Sequence, residues 1–381
     1  MNIAFDAVPL VSDKMTGIGW CEAGQTTAMA RLYPENNYTY NFFSRTDDHI
    51  KLERLEPFTE NITPKPAHFS GYIYRMVSNF LPVPYSRFFG KDTDITHFFN
   101  YIAYPGVKGK TVITVHDMVY KAFPETVRAR TKYMLDTGLK RSMKRADLIV
   151  TDSEFSKSEI LKYFPQHESK LRVVPCGVDL RKFRPCTEPE RIPAVKSSLG
   201  IEGEYFLYLG TIEPRKNLER LIAAYNIFIQ KVKENPPKLV LAGGKGWLYD
   251  SIFAKVTELG LADKVIFTRY VPSEDMNPLM CGAMAFVFPS IYEGFGMPPL
   301  EAMACGVPVL TSDAASLPEV TGDCAVIADA YSEESIAEGL YDLYSDEELR
   351  RSLSKRGLER AKTFTWERSA EKLYDVYREL F

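Results

Sequence analysis

Residues 287–309 read V-F-P-S-I-Y-E-G-F-G-M-P-P-L-E-A-M-A-C-G-V-P-V. An apolar run from Ala283 to Phe288 stops at Pro289, a glycine loop follows, and Pro298 and Pro299 open a helix that closes at Gly306. Val307 to Leu310 then reads as another buried strand, which makes the stretch part of an α/β fold. Gly294 and Gly296 let the backbone take positive φ and approach a ligand closely. Proline suits the first helical turn, where the missing N–H has no partner in any case. The free N–H groups and positive dipole end of such a helix favour an anion, typically phosphate. Glu301, one turn into the helix, is placed to accept from a ribose diol, as an acidic residue does in dinucleotide folds. Glu293, at the strand end, is placed to hold hydroxyls at the other end of the ligand. The plain alternative is a strand, a loop and a helix with solvated carboxylates. Two glutamates bracketing G-F-G and a Pro-Pro helix start favour a phosphorylated sugar.

Upstream, Tyr205 to Leu209 reads as a strand, and G-T-I-E-P-R-K-N-L leads to an amphipathic helix through about Lys233. Arg215 and Lys216 sit at its mouth, where cations oppose the helix dipole unless an anion lies between them. A diphosphate is the economical explanation, each charge-assisted hydrogen bond being worth about 1.5–3 kcal/mol. Lys238 to Ala242 is a strand running into G-G-K-G-W, where the backbone of Gly244 and the side chain of Lys245 are within reach of a nucleotide. Val265 to Thr268 is the next strand, its R-Y-V-P end near the base; Leu279 reads as packing. Val326 to Ala328 is a last short strand, Glu333 to Thr363 is helical, and Trp366 to Phe381 is a terminal amphipathic helix.

In the first half, Ile3 to Leu10 is a strand, and D-K-M-T-G-I-G-W leads into a helix through about Leu32. Gly17 and Gly19 put backbone N–H groups at the strand's carboxyl end, where α/β folds bind ligands. Asn37 to Ser44, Asp94 to Asn100, Thr111 to Val115 and Leu148 to Thr151 read as strands. His116-Asp117 closes the third of these and faces the usual ligand crevice. It reads either as a general base or as a ring that orients a ligand without titrating. Asp117 serves an acceptor or caps the next segment, and His97 joins it as a candidate acceptor contact. Asp92-Thr93-Asp94 matches a metal-binding D-x-D, but it precedes a strand and reads as a turn. Asp152 or Ser153 caps a helix in a capping-box-like start with Ser156 and Glu159.

Between Phe69 and Lys91, aromatics and leucines interleave with Arg75, Arg87 and Lys91. The segment is either an irregular connection packed on the sheet or an interfacial surface for anionic lipid. The helix from Val127 to Arg145, seven basic residues against Asp136, adds to the second reading. Pro185 to Pro193, rich in charge and proline, marks a domain boundary. The expected domains are 1–184 with the returning helix 366–381, and 185–365.

The chain has 381 residues, enough for two ordinary domains. A net charge of −3 argues against a dedicated nucleic-acid binder. No apolar run approaches the ~20 residues of a membrane span. The amino terminus lacks a basic n-region and reads as a strand, not a signal peptide. Six cysteines without C-x-x-C, and five histidines without metal-ligand spacing, predict reduced packing thiols of a cytosolic protein and no zinc site.

The E-G-F-G of residues 293–296 followed by Glu301 resembles the signature of the retaining glycosyltransferases of family four. The resemblance extends over nearly the whole chain. It implies the GT-B fold, two Rossmann-like domains facing a cleft. It implies that Glu293 and the backbone of Gly294, Phe295 and Gly296 contact the donor sugar, and that Glu301 contacts the ribose. By the same resemblance Gly17 and Gly19 lie against donor phosphates and acceptor, and His116 contacts the donor sugar. Two positions depart from the pattern: Thr211 stands where an arginine commonly does, with Arg215 as its substitute beside Lys216, and Cys176 replaces an asparagine. The versions of these motifs look most like bacterial GDP-mannose-dependent α-mannosyltransferases of lipopolysaccharide O-antigen assembly. That implies GDP-mannose as donor, no cofactor or metal, and α-1,3 transfer to an undecaprenyl-diphosphate-linked saccharide. It also implies a peripheral position on the inner face of the inner membrane, with polysaccharide-assembly proteins as partners. A UDP-sugar-dependent transferase, a non-catalytic nucleotide-sugar binder and a membrane scaffold stay open as alternatives.

Overall fold

The computed structural model describes residues 1–381 except 79, 80, 82, 233, 245, 247 and 248. The chain divides into two units. The first takes in Met1–Ala122, Val127–Gly177 and Thr365–Phe381; the second takes in Phe123–Thr126 and Val178–Phe364. The division expected at 184/185 therefore falls inside the second unit. Val178 already donates its N–H to the Phe364 carbonyl at 2.9 Å. The charged run after Pro185 is tied down as well, Arg191 pairing with Asp275 at 3.1 Å.

In the first unit the strands are β1 (Asn2–Asp6), β2 (Asn37–Ser44), β3 (Ile62–His68), β4 (Ile95–Phe98), β5 (Lys110–Thr114), β6 (Leu148–Thr151) and β7 (Leu171–Val173). They form a parallel sheet in the order β3-β2-β1-β4-β5-β6-β7. The second unit has β8 (Tyr205–Leu209), β9 (Lys238–Ala242), β10 (Val265–Arg269), β11 (Ala285–Phe288), β12 (Val309–Ser312) and β13 (Ala325–Ala328). These are parallel too, in the order β10-β9-β8-β11-β12-β13. The central strands are buried on both faces, which is why they read as continuous apolar runs such as Y-F-L-Y-L. Both sheets reverse strand order once, between β1 and β4 and between β8 and β11. In open α/β sheets ligands bind beyond the carboxyl ends at that reversal.

The returning helix Trp366–Arg378 completes the first unit. Its buried residues Ser369, Ala370, Leu373, Val376 and Tyr377 recur at helical spacing and join a core with Ile3, Phe5 and Met29. Leu373 alone contributes about 1.5–3 kcal/mol of burial. Thr365 caps the helix, its hydroxyl accepting from the Arg368 N–H at 3.2 Å. Gly24 lets the helix Gly17–Leu32 approach: a Cβ there would lie 2.2 Å from the Trp366 indole. The helical stretch expected over 333–363 consists of two helices, Glu333–Ser345 and Glu347–Ala361, because the Asp346 side chain accepts from the Leu349 N–H and starts a new one.

Among its described residues the 69–91 segment has the short helices Gly71–Val77 and Ser86–Phe89. Tyr74, Tyr85 and Phe89 turn inward around Phe43, with ring centroids at 4.7, 6.3 and 5.0 Å. Tyr72, Ile73, Met76 and Leu81 turn outward and are exposed. Asn79, Phe80 and Pro82 of this segment lie outside the described residues, as do Lys233 and Lys245.

Candidate active site

In the second unit, the turn after β8 and the turn after β11 meet at the strand-order reversal. The first carries Glu213, Arg215 and Lys216; the second carries Ser290 and Glu293. Lys216 Nζ donates to Glu293 Oε1 at 2.6 Å, and Arg215 donates to Oε2 at 3.0 Å. The Ser290 hydroxyl donates to Oε1 at 2.6 Å. Arg215 also pairs with Glu213 at 2.7 Å and donates to the Tyr292 carbonyl. Glu213, Lys216 and Glu293 are all buried. Burial alone would raise the Glu293 carboxyl, but Arg215 and Lys216 hold it down, to about 2. The Lys216 ammonium is lowered, by burial first and by Arg215 second.

This geometry corrects one sequence expectation. The cations at 215 and 216 do not wait for an external anion, because Glu213 and Glu293 already supply the counter-charge. Glu213 and Ser290 were not singled out from the sequence; an acid two residues before Arg215 was the available signal. Asn217 keeps the turn rigid in a left-handed conformation (φ 63°), donating to the carbonyls of Pro289 (2.9 Å) and Ala330 (2.7 Å).

The G-F-G loop is fixed from the other side. The Ser316 hydroxyl lies 2.9 Å from the Glu293 carbonyl and 2.6 Å from that of Phe295. Gly296 has φ 113°, a region closed to other residues, and a Cβ there would meet Leu317 at 2.9 Å. It delivers the helix Met297–Ala304 with prolines in its first turn. Phe295 is buried, its ring 5.8 Å from that of Phe364, so the side chain packs and only the backbone of this loop is left for a ligand.

Glu301 is half-buried in the same helix. Among the described residues no donor is bonded to its carboxylate. Burial raises it to about 7 from an ordinary 4.5, with Lys182 pulling the other way. Between those values the folded chain keeps a proton that the unfolded chain has lost, so stability falls as pH rises from 4.5 to about 7 and then levels. Urea midpoints of wild type and Glu301→Gln are expected to agree at pH 4.5 and to favour the variant above pH 7. Parallel curves would contradict this. Gly244, on the loop after β9, accepts from the Ile212 N–H at 3.0 Å, which ties that loop to the Arg215 turn.

In the first unit the candidates separate. Gly17 is the exposed first residue of its helix; Gly19 is buried against Met15 and the Pro9 carbonyl. His97 is fully buried, with its ring nitrogens on the Tyr377 hydroxyl (2.6 Å) and the Thr114 hydroxyl (2.8 Å). It is an internal bridge between β4 and the returning helix, not an acceptor contact. Asp117 accepts from the Val119 N–H (3.1 Å) and the Tyr101 hydroxyl (3.2 Å), which is the capping alternative. Asp94 of the D-x-D accepts from the Asn2 N–H at 2.7 Å, which ties the approach to β4 to the start of β1.

His116 is buried, with Nδ1 2.6 Å from Asp152 Oδ2 and Nε2 2.7 Å from the Phe99 carbonyl. Burial pushes the imidazole down, but the Asp152 carboxylate outweighs it and the ring is raised to about 9. Neither nitrogen is left for a base or a sugar hydroxyl. Asp152 is therefore not the helix cap; Ser153 is, accepting from the Ser156 N–H at 3.0 Å.

Residues 25–182 match the family Glycosyltransferase Family 4, and residues 194–360 match Glycosyl transferases group 1. O-antigen chain mannosyltransferase B of Escherichia coli is 37% identical over 274 residues, which is 71% of this chain and 70% of that one. Serotype-specific mannosyltransferase WbdA of Escherichia coli is 28% identical over 272 residues, 69% of this chain but 33% of that longer protein. Anabaena Alr3699/HepE, solved in complex with UDP and glucose, superposes with a TM-score of 0.75 at 17% identity over 100% of both chains. With two parallel-sheet Rossmann-like units and both families matched in order, the chain belongs to glycosyltransferase family 4 and has the GT-B fold.

Proposed function

We propose that the chain is a retaining α-mannosyltransferase that moves mannose from GDP-mannose to a hydroxyl, the 3-OH, of an undecaprenyl-diphosphate-linked saccharide in lipopolysaccharide O-antigen biosynthesis. The observation that carries the transfer chemistry is the cluster of Glu213, Arg215, Lys216 and Glu293 at the reversal between β8 and β11. The sugar and the pathway rest on the 37% identity to O-antigen chain mannosyltransferase B.

A donor diphosphate competes with Glu293 for Arg215 and Lys216. Negative charge grows on that phosphate as the sugar departs, so cations fixed beforehand stabilise the transition state more than the ground state. Glu293, relieved of Lys216, turns to the sugar hydroxyls, and Glu301 accepts from the ribose. The departing phosphate oxygen takes the acceptor proton on the face it leaves. The positive charge comes from side chains, so the transfer step calls on no metal cofactor. A thermal-shift panel of nucleotide sugars tests the donor: GDP-mannose should stabilise the chain more than UDP-glucose, and the product anomer should read α by NMR. Stabilisation by the UDP sugar alone would shift the reading to a UDP-dependent transferase.

The same reading places the enzyme in the cytoplasm, peripheral at the inner face of the inner membrane. No helix among the described residues is long and apolar enough to cross a membrane. The outward row Tyr72, Ile73 and Met76 suits an anionic bilayer, with the Arg130 guanidinium 5.4 Å from the Tyr72 ring. Flotation with phosphatidylglycerol vesicles should capture the protein, with capture falling with salt and in Y72S/I73S/M76S. Equal capture by neutral vesicles, or none by either, would remove the membrane from the proposal.

A further inference from the structure

The buried side of the first unit gathers four donor side chains that the transfer chemistry does not use. Cys21 stands on the helix Gly17–Leu32, while His116, Asp152 and Cys176 follow β5, β6 and β7 in turn. All four are buried. Ligand atoms of Cys21, His116 and Asp152 lie within 4.8 Å of one another. The Cys176 thiol donates to Cys21 Sγ at 3.2 Å.

The orientation of the imidazole is the telling feature. A backbone carbonyl only accepts, so the contact with Phe99 requires that Nε2 carry the hydrogen. In the neutral ring Nδ1 is then a lone pair, 2.6 Å from a carboxylate oxygen. The metal-free chain relieves this contact with a second ring proton, the imidazolium that Asp152 favours, and a cation in that proton's place would relieve it too. Metal-binding histidines are held in this way, one nitrogen toward the ion and the other N–H on a carbonyl. Asp152 Oδ1 is buried and has no hydrogen-bond partner among the described residues. Two thiols, an imidazole and a carboxylate make a donor set suited to zinc.

We infer that Cys21, His116, Asp152 and Cys176 bind a thiophilic divalent cation, zinc or one of similar preference, which ties the ends of β5, β6 and β7 to the helix Gly17–Leu32. Tetrahedral ligand atoms around zinc stand about 3.3–3.8 Å apart, given bonds of about 2.0–2.3 Å. The thiol pair and the His116–Asp152 pair therefore open by a few tenths of an ångström or more on binding. The ion replaces the thiol protons and any proton shared by His116 and Asp152, all released to solvent. Sequence spacing concealed the set because its members come from four separate segments, with Cys176 at a position where the resembled family carries asparagine.

Cobalt(II) added to the reduced, metal-stripped chain tests this. One equivalent should bind with a thiolate charge-transfer band and the visible bands of a tetrahedral site, and zinc should displace it. Affinity should fall at least about 100-fold in C21S/C176S and stay unchanged in C186S/C281S. Absence of the band, or a band that survives C21S/C176S, overturns the site and leaves a proton-bridged His116–Asp152 pair. Should C21S/C176S fail to fold, alkylation of the wild type under mild denaturant gives the same decision. Zinc should then slow modification of Cys21 and Cys176 selectively, and unchanged rates overturn the inference.

Discussion

Glu293→Gln is expected to lower mannosyl transfer ~10²–10³-fold while GDP binding holds or tightens. The amide keeps the shape of the side chain but removes the charge that Arg215 and Lys216 neutralise in the free protein. Those cations then meet a diphosphate without a competing carboxylate, whereas the donor sugar loses its ionic acceptor. The same change leaves the buried Lys216 ammonium without its counter-charge, a loss on the order of 3–5 kcal/mol for a buried pair. The variant should therefore melt lower than wild type and gain more from added GDP. Initial rates and calorimetric titration with GDP decide the matter. Transfer within about tenfold of wild type would contradict the role given to Glu293, as would GDP affinity falling in step with rate.

Lys216→Met carries the second large effect, a ~10²–10³-fold fall in turnover from the loss of one fixed cation at the leaving phosphate. Its stability should behave differently. Glu293 keeps Arg215 and Ser290 as partners, and the methionine stem occupies apolar space beside Phe288. K216M/E293Q should then be more stable than E293Q alone, because no unpaired ammonium remains in the cluster. Additive losses across this cycle would mean that the two side chains are not energetically coupled, contrary to their 2.6 Å contact.

Strands buried on both faces declared themselves in the sequence: residues 148–150, 205–209 and 239–242 are uninterrupted apolar runs between polar breaks. Ile62–His68 did not, because Pro64 and Pro66 argue against a ladder, and only an edge position tolerates them. Leu171–Val173 was too short to stand out. At the candidate site, sequence named Arg215, Lys216 and Glu293 but could not say that they bind one another. Mutual neutralisation depends on two turns brought side by side by the strand order. The same reason hid Asp152, whose partner lies thirty-six residues upstream. His97 stood beside Asp117 as a candidate acceptor contact; only the returning helix, which brings Tyr377 to its ring, shows it to be interior.

That returning helix also bears on how the chain is made. A ribosome releases the sequence of all seven strands of the first sheet long before residues 365–381, yet those last residues supply Leu373, Val376 and Tyr377 to the core built on Ile3 and Phe5. During synthesis the early segment has to wait, its apolar surface uncovered, until the later unit has been translated. The nascent amino-terminal half is accordingly the natural client for a chaperone, and a stop codon near residue 365 should strand it unfinished rather than merely shortened.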